Sequence, residues 1–355
     1  KTKITNREEA LMCNSKLALF GAVGIAALMF AASETSAQFY KGKKLDMYSA
    51  GGSKGSYNRH LRLMEKFLTK HIPGNPEIAI NPMPGAGGLK AANYLYNAAA
   101  KDGTAAGTLL KTIGLNEAIG RRGVKYKTAE FTWLVSSGPI DSVLALWKST
   151  SPAKNVEDVF KKKDILGSTG KGSPTFIEPT IMNATIGTKF KIITGYKGLG
   201  KVHLAVERGE VQGRFASWEA IKCCKKAWLK ENKVAILMQS GLVRNKDLPK
   251  VKSVWEFANN DADRDFLKFI AAGSTLGRIY LAPPGIPKAA ANALRKGFWD
   301  ALHDHEYIAL TKKRGMGLDP MSHNKAKELA LSIMKAKPAV IKRAKKYLLR
   351  KKKKK

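Results

Sequence analysis

The stretch NPMPGAGGLKAANYL (Asn81 to Leu95) restricts the architecture more than any other part of the chain. Pro82, Pro84 and three glycines separate EIAI, which reads as a short strand, from LKAANYLYNAA, which reads as a helix. The same unit recurs. Upstream, LDMYSA is a strand, GGSKGS a loop and YNRHLRLMEKFLTKH a helix that carries Leu61, Met64 and Leu68 on one face. Downstream, TAAGTLL is a third strand, and FTWLVSS and DSVLALWKS are two more. SPAKNVEDVFKKK reads as a helix start with Ser151 as its cap and Pro152 in its first turn. Repeated strand, turn and helix units predict an α/β fold with a largely parallel sheet.

A second series follows in DILGSTGKGSPTF, KIITGYKGLGKVHLAVERGE, VQGRFAS and KVAILMQSG, and it predicts a second α/β lobe. The segment YLAPPGIPKAAANALRKGFWDALHD, broken by Pro-Pro-Gly, predicts a return to the first lobe. Crossings are expected near Val143 to Trp147 and near Gly277 to Pro283. The expected organisation is a leader over 1–37, lobe 1 over 38–143 and 283–348, lobe 2 over 144–282, and a disordered basic tail over 349–355.

A chain of 355 residues, 44% hydrophobic and 26% charged, can bury the cores that two such lobes need. Its net charge of +35 suggests an anionic partner, yet ten of those charges lie in the last fourteen residues, KRAKKYLLRKKKKK. The others are scattered as Lys on solvated helix faces with few aromatic residues between them. No basic groove with stacking rings is visible, so nucleic acid is not an expected partner. Near the front, Lys16 precedes the apolar run LALFGAVGIAALMFAA and then SETSAQ, with Thr35 and Ala37 at signal-peptidase positions. Export to the periplasm with cleavage after Ala37 is expected, the alternative being an uncleaved anchor. Glu8 and Glu9 are unusual in a leader, which makes Met12 a candidate start. Cys223 and Cys224 are adjacent, so a bridge between them would be strained and could not staple distant segments.

Three Gly-rich turns stand at strand-to-helix junctions: Gly51 to Ser56, Pro84 to Gly88 and Gly170 to Ser173. Helix N-termini present unpaired N–H groups and a positive dipole end there, and glycine lets the backbone approach a ligand. One such turn is an ordinary connection, but three on two lobes point to a cleft that takes an anion. Catalytic and nucleotide motifs fail. GAGGLK has Lys90 where a dinucleotide fold needs a third glycine, and GYKGLGK (Gly195 to Lys201) has Val202 where a phosphate loop needs Ser or Thr. The six histidines form no HExxH, no G-x-S-x-G elbow is present, and Cys223 has no identifiable His partner. No cofactor, metal or enzymatic activity is expected.

The run FYKGKKLDMYSAGGSKGSYNRHLRLMEKFLTKHIPGNPEIAINPMPGAGGLKAANYLYNAAAKDGT resembles the start of the substrate-binding proteins of tripartite tricarboxylate transporters, the Bug receptors. GTKFKIITGYKG, LAVERGEVQGR, LAPPGIPKAAANALRKGFWDAL and KKRGMGLDP follow in the same order, so the resemblance runs from about Phe39 to about Leu348. It implies a type II periplasmic-binding fold, with two α/β lobes joined by two crossing segments that close on a ligand. It also implies a monomer that captures an organic carboxylate for membrane permease subunits, or one that presents it for sensing or scavenging. Carried over by position, the ligand-binding residues are Gly51, Gly52 and Ser53 with Tyr57 and Asn58; Gly85, Ala86, Gly87 and Gly88; Gly172, Ser173 and Thr175; and the aromatic residues Tyr196 and Trp218, either of which could equally be core. The chain departs from the family pattern in having Asn58 where many members have Asp, and in placing Lys54 and Lys171 inside two turns.

Overall fold

The computed structural model describes residues 39–349, so the leader and its cleavage site, and residues 350–355 of the basic tail, lie outside the described residues. The described residues form eleven strands: β1 (Lys44–Ser49), β2 (Glu77–Pro82), β3 (Ala105–Leu109), β4 (Thr132–Ser136), β5 (Ser142–Trp147), β6 (Ile165–Ser168), β7 (Lys191–Thr194), β8 (Gly213–Ser217), β9 (Val234–Ser240), β10 (Ile279–Ala282) and β11 (Met321–Ser322). They build two separate sheets, ordered β11-β4-β10-β3-β1-β2 and β7-β6-β8-β5-β9. Each sheet is covered on both faces. In lobe 1 the helices Ser56–His71 and Lys288–His303 bury Leu61, Met64, Leu68, Leu294 and Phe298 on one side. Helix Leu89–Asn97 on the opposite side contributes Leu89, Ala91, Ala92 and Leu95 to a second core. Lobe 2 repeats the plan with cores around Ile177, Ile181 and Phe215, and around Val143, Val206 and Trp228.

The sheets are mixed rather than largely parallel. β1 runs parallel to β2 and β3, and β6 to β7 and β8, as strand–helix–strand units require. β5 and β10, which enter from the opposite lobe, run antiparallel to their neighbours because no crossover helix precedes them. The change of sheet occurs between Ser136 and Ser142 and again between Leu276 and Ile279. β5 therefore belongs wholly to lobe 2 and β10 wholly to lobe 1, a few residues from the boundaries expected at 143/144 and 282/283. Gly138 and Gly277, both at positive φ, face each other where the two crossings touch, and Arg278 N–H donates to the Gly138 carbonyl at 3.2 Å.

Two local expectations change. Helix Asp158–Lys161 is only one turn long, and Ser151 does not cap it. The Ser151 hydroxyl instead donates to Ala153 O and reaches Asp164 Oδ1 at 2.6 Å, a local polar knot that competes with helix initiation. The C-terminal helix Pro338–Leu348 leaves lobe 1 and packs on lobe 2, where Ala344 and Leu348 join Ile177 and Ile181. Arg343 anchors it to Asp263 of helix Asp261–Leu276. Cys223 and Cys224 are bonded to each other, so the bridge joins no distant segments. Among the described residues, no helix is long and apolar enough to cross a membrane.

Candidate functional site

The carboxyl ends of both sheets face one another across a cavity of about 80 Å³. Four helices begin on its wall: Ser56–His71 after Gly55, Leu89–Asn97 after Gly88, Pro174–Thr185 after Ser173, and Leu199–Glu207 after Gly198. None of the four has a side-chain cap, and none carries Asp or Glu in its first turn. An acidic or hydroxyl cap is the ordinary way to satisfy those N–H groups and the dipole end. Elsewhere the side-chain oxygens of Asn260, Asp304 and Ser322 cap their helices, although Lys288–His303 and Pro338–Leu348 also begin without a cap or an acid. Two N-termini from each lobe thus meet the cavity without a side-chain cap, each with an effective charge of about +0.5.

Glycine makes this convergence possible. Gly87, at φ +66°, lies so close to lobe 2 that a Cβ there would stand 2.6 Å from Ser173 N and 2.7 Å from Gly172 N. Gly198, at φ +90°, approaches Gly52 in the same way, a Cβ falling 3.0 Å from Gly52 Cα. The lobes are in contact along these turns, and side chains fasten them. Thr112 Oγ1 and Asn116 Nδ2 both donate to Gly172 O at 2.8 Å. Lys111 Nζ from lobe 1 pairs with Glu178 of lobe 2 at 3.0 Å and also donates to Ile140 O and Ser274 Oγ.

Behind the cavity a buried triad joins the lobes and a crossing. Glu219 of lobe 2 accepts from His60 Nε2 of lobe 1 at 2.8 Å and from Arg278 Nη2 at 3.1 Å. Burial opposes the charge on Glu219, but Arg278 and then His60 overcome it and hold the carboxyl down at about 2. Burial, reinforced by Arg278, pushes His60 below its ordinary value, so His60 is neutral with its proton on the nitrogen that faces Glu219. The Tyr57 ring lies 4.9 Å from the Arg278 guanidinium and fixes its plane.

Of the residues expected at a site, the cavity brings together Gly51, Gly52, Tyr57, Gly85, Gly87, Gly88, Ser173 and Thr175. Ser53, Asn58, Ala86, Gly172, Tyr196 and Trp218 stand outside its lining. Asn58 is fully buried and donates to Ser53 O at 3.0 Å, bracing the first turn from below. Ala86 and Gly172 face each other in the contact between lobes. Half-buried Tyr196 packs its ring edge towards Gly167, and Trp218 donates to Asp247 Oδ2 at 2.9 Å within lobe 2. Lys54 and Lys171 are exposed and do not line the cavity. The lining adds Lys111, Ser142, Ser217 and the Gly198–Leu199 turn, which sequence reasoning passed over. The last of these is the GYKGLGK segment, and its glycines were the available signal. Among the described residues, no three His, Cys, Asp or Glu side chains are grouped to hold a metal.

No family model and no curated protein matches the chain. Solved structures do. The chain is similar to the protein MatC from Rhodopseudomonas palustris, solved with bound malate, at 19% identity and TM-score 0.66 over 86% of this chain and 99% of that one. It is similar to the periplasmic binding protein BugD at 17% identity and TM-score 0.68, over 88% and 100% of the two chains. A second R. palustris protein, solved with adipate, gives 17% and 0.67 over 85% and 97%. The chain therefore has the two-lobed α/β fold of periplasmic binding proteins.

Proposed function

We propose that the chain is an exported solute-binding protein of the Bug receptor type, which captures an organic carboxylate between its lobes. The observation that carries this reading is the meeting of four uncapped, acid-free helix N-termini, two from each lobe, on one cavity. Each charge-assisted N–H to carboxylate bond contributes about 1.5–3 kcal/mol. Three or four of them give binding in the micromolar range once several kcal/mol of ordering and closure cost are subtracted. Because the donors are divided between lobes, the ligand favours the closed arrangement only by touching both, which is a population shift driven by the anion. Malate and adipate in two similar structures support the same ligand chemistry. The closed, ligand-bearing monomer is then the form that membrane permease subunits of a tripartite transporter recognise. The work is binding, with no cofactor and no catalysis.

The test is a thermal-shift and calorimetric screen of protein beginning at Gln38 against carboxylates, amines and neutral sugars. The reading expects stabilisation by acids alone. Stabilisation by amines or sugars, with no response to any acid, removes it.

A further inference from the structure

Three buried basic side chains lie around the cleft, and two are already neutralised. Lys111 is paired with Glu178, and Arg278 with Glu219. Arg214, on β8, is not. Its side chain is fully buried, no carboxylate pairs with it among the described residues, and its Nε and Nη1 have no hydrogen-bond partner. Its one bond runs from Nη2 to the carbonyl of Ser217, 3.2 Å away, and Ser217 lines the cavity. Burial with nothing to offset it pushes the guanidinium down to about 9. An isolated buried cation is costly, and interiors ordinarily supply a counter-charge. Arg121 is also buried without a carboxylate, but it donates to Asn116, and neither residue lines the cavity.

Apart from the helix ends, the one charged side chain on the wall is Lys111, and Glu178 already neutralises it. Ala50, Leu110, Ile140, Pro174, Leu199 and Ala216 are apolar. Among the lining hydroxyls, Ser173 donates to Gly170 O and Thr175 is shared with Ser168, Thr169 and Ser173, while Ser142 and Ser217 accept from Lys111 and from Ala220 N, and Ser56 and Tyr57 complete the set. The volume of about 80 Å³ is roughly half that of an apolar cavity that holds benzene.

We propose that the site selects a monoanion, a single carboxylate on a small and largely apolar body, and that Arg214 is the residue whose charge this ligand balances. The proposal rests on the carboxylate reading above and narrows it. Arg214 acts through the field at the end of β8, with Ser217 between it and the cavity, so it sets affinity rather than the pose of the ligand.

The experiment is calorimetry with propanoate, butanoate, malate and adipate on the wild-type chain, Arg214→Met and Arg214→Lys, with melting temperatures taken in the absence of acid. Propanoate or butanoate should bind at least tenfold more tightly than either dicarboxylate. Arg214→Met should lose about tenfold or more in monocarboxylate affinity yet melt no lower than wild type without ligand, since a buried unpaired cation has been removed. Arg214→Lys should retain most of the affinity. A residue that served only the fold would lower the melting temperature and leave affinity intact, and that result overturns the role of Arg214. If Arg214→Met does not fold, loss of affinity in Arg214→Lys equal to that of no binding at all overturns it. Tighter binding of malate or adipate overturns the monoanion while leaving the carboxylate reading standing, whereas failure of all four acids on the folded wild type counts against that reading itself.

Discussion

Replacing Gly87 by alanine separates closure from folding. Its new methyl would meet Ser173 N at 2.6 Å, Gly172 N at 2.7 Å and Gly170 O at 2.9 Å, all backbone atoms of the opposite lobe that cannot rotate away. Ordinary carbon contacts lie at about 3.5–4.0 Å, so the turns must part by roughly 1 Å. That displacement takes N–H donors of one lobe out of the 2.7–3.2 Å range in which they bond a ligand held by the other. Losing two charge-assisted bonds costs about 3–6 kcal/mol, which is roughly two to four orders of magnitude in affinity. The fold itself loses only the strain of a non-glycine residue at φ +66°, about 1–2 kcal/mol, or a few degrees in Tm. Gly187→Ala supplies the control, because Gly187 has φ +78° and nothing within 4 Å of a built Cβ. Calorimetry on both variants should show the small stability loss twice and the affinity loss once. Equal affinities in Gly87→Ala and wild type would show that the contact between these turns is irrelevant to capture.

Glu219→Gln leaves Arg278 buried without its counter-charge and should lower stability by about 3–5 kcal/mol in denaturant titration. Because the folded carboxyl sits at about 2 against an ordinary 4.5, wild-type stability from this group is complete above about pH 4.5 and drains away as the pH falls towards 2. Melting curves from pH 7 to 2 should show that slope in the wild type and a flatter one in the variant. His60 adds a separate effect, since a histidine held neutral in the fold while the unfolded chain takes up a proton costs stability as the pH falls below about 6.5. His60→Gln should flatten that upper part of the curve, and an unchanged slope there would disprove the buried neutral assignment. Trp218→Phe should cost about 1 kcal/mol for the bond to Asp247 and leave carboxylate affinity unaltered in the same calorimetric assay.

The architecture was legible where local pattern and backbone chemistry agree. Period-two and period-3.6 runs separated by Gly-Pro turns placed β1, β2 and β3 and the helices Ser56–His71 and Leu89–Asn97 to within a residue or two, but not the short helix Ile113–Ala118. The direction of β5 and β10 was not legible, because alternation in a strand is the same whichever way it runs, and what reverses them is their arrival from the other lobe. The glycine turns were visible as candidates, but not their partners. Gly198 meets Gly52 and Gly87 meets Gly172 across more than eighty residues of intervening chain, a relation that no short motif encodes. GYKGLGK failed as a phosphate loop because of Val202, yet its glycines still build a helix start at the cavity. Tyr196 and Trp218 show the opposite limit. An aromatic beside a glycine turn can face a ligand or a core, and the sequence does not show that half-buried Tyr196 lies beside Gly167 or that Trp218 bonds Asp247.

The same glycines serve two ends, and this explains why the turns tolerate so little. A turn that binds an anion through main-chain N–H groups needs no particular side chain, but it needs the opposing backbone close enough to share the ligand. At Gly87 the closeness is below that of real Cβ contacts and at Gly198 it is tighter than nearly all of them, and both positions lie at positive φ, so space and conformation each favour glycine. Side chains then do what the amides cannot. Lys111 with Glu178, and Arg278 with Glu219, tie the lobes by charge pairs that cancel within the protein, and neutral His60 adds a hydrogen bond to Glu219. On the proposed carboxylate reading, cancelling them leaves the helix ends, with Arg214 behind the wall, as the charge that attracts an anion.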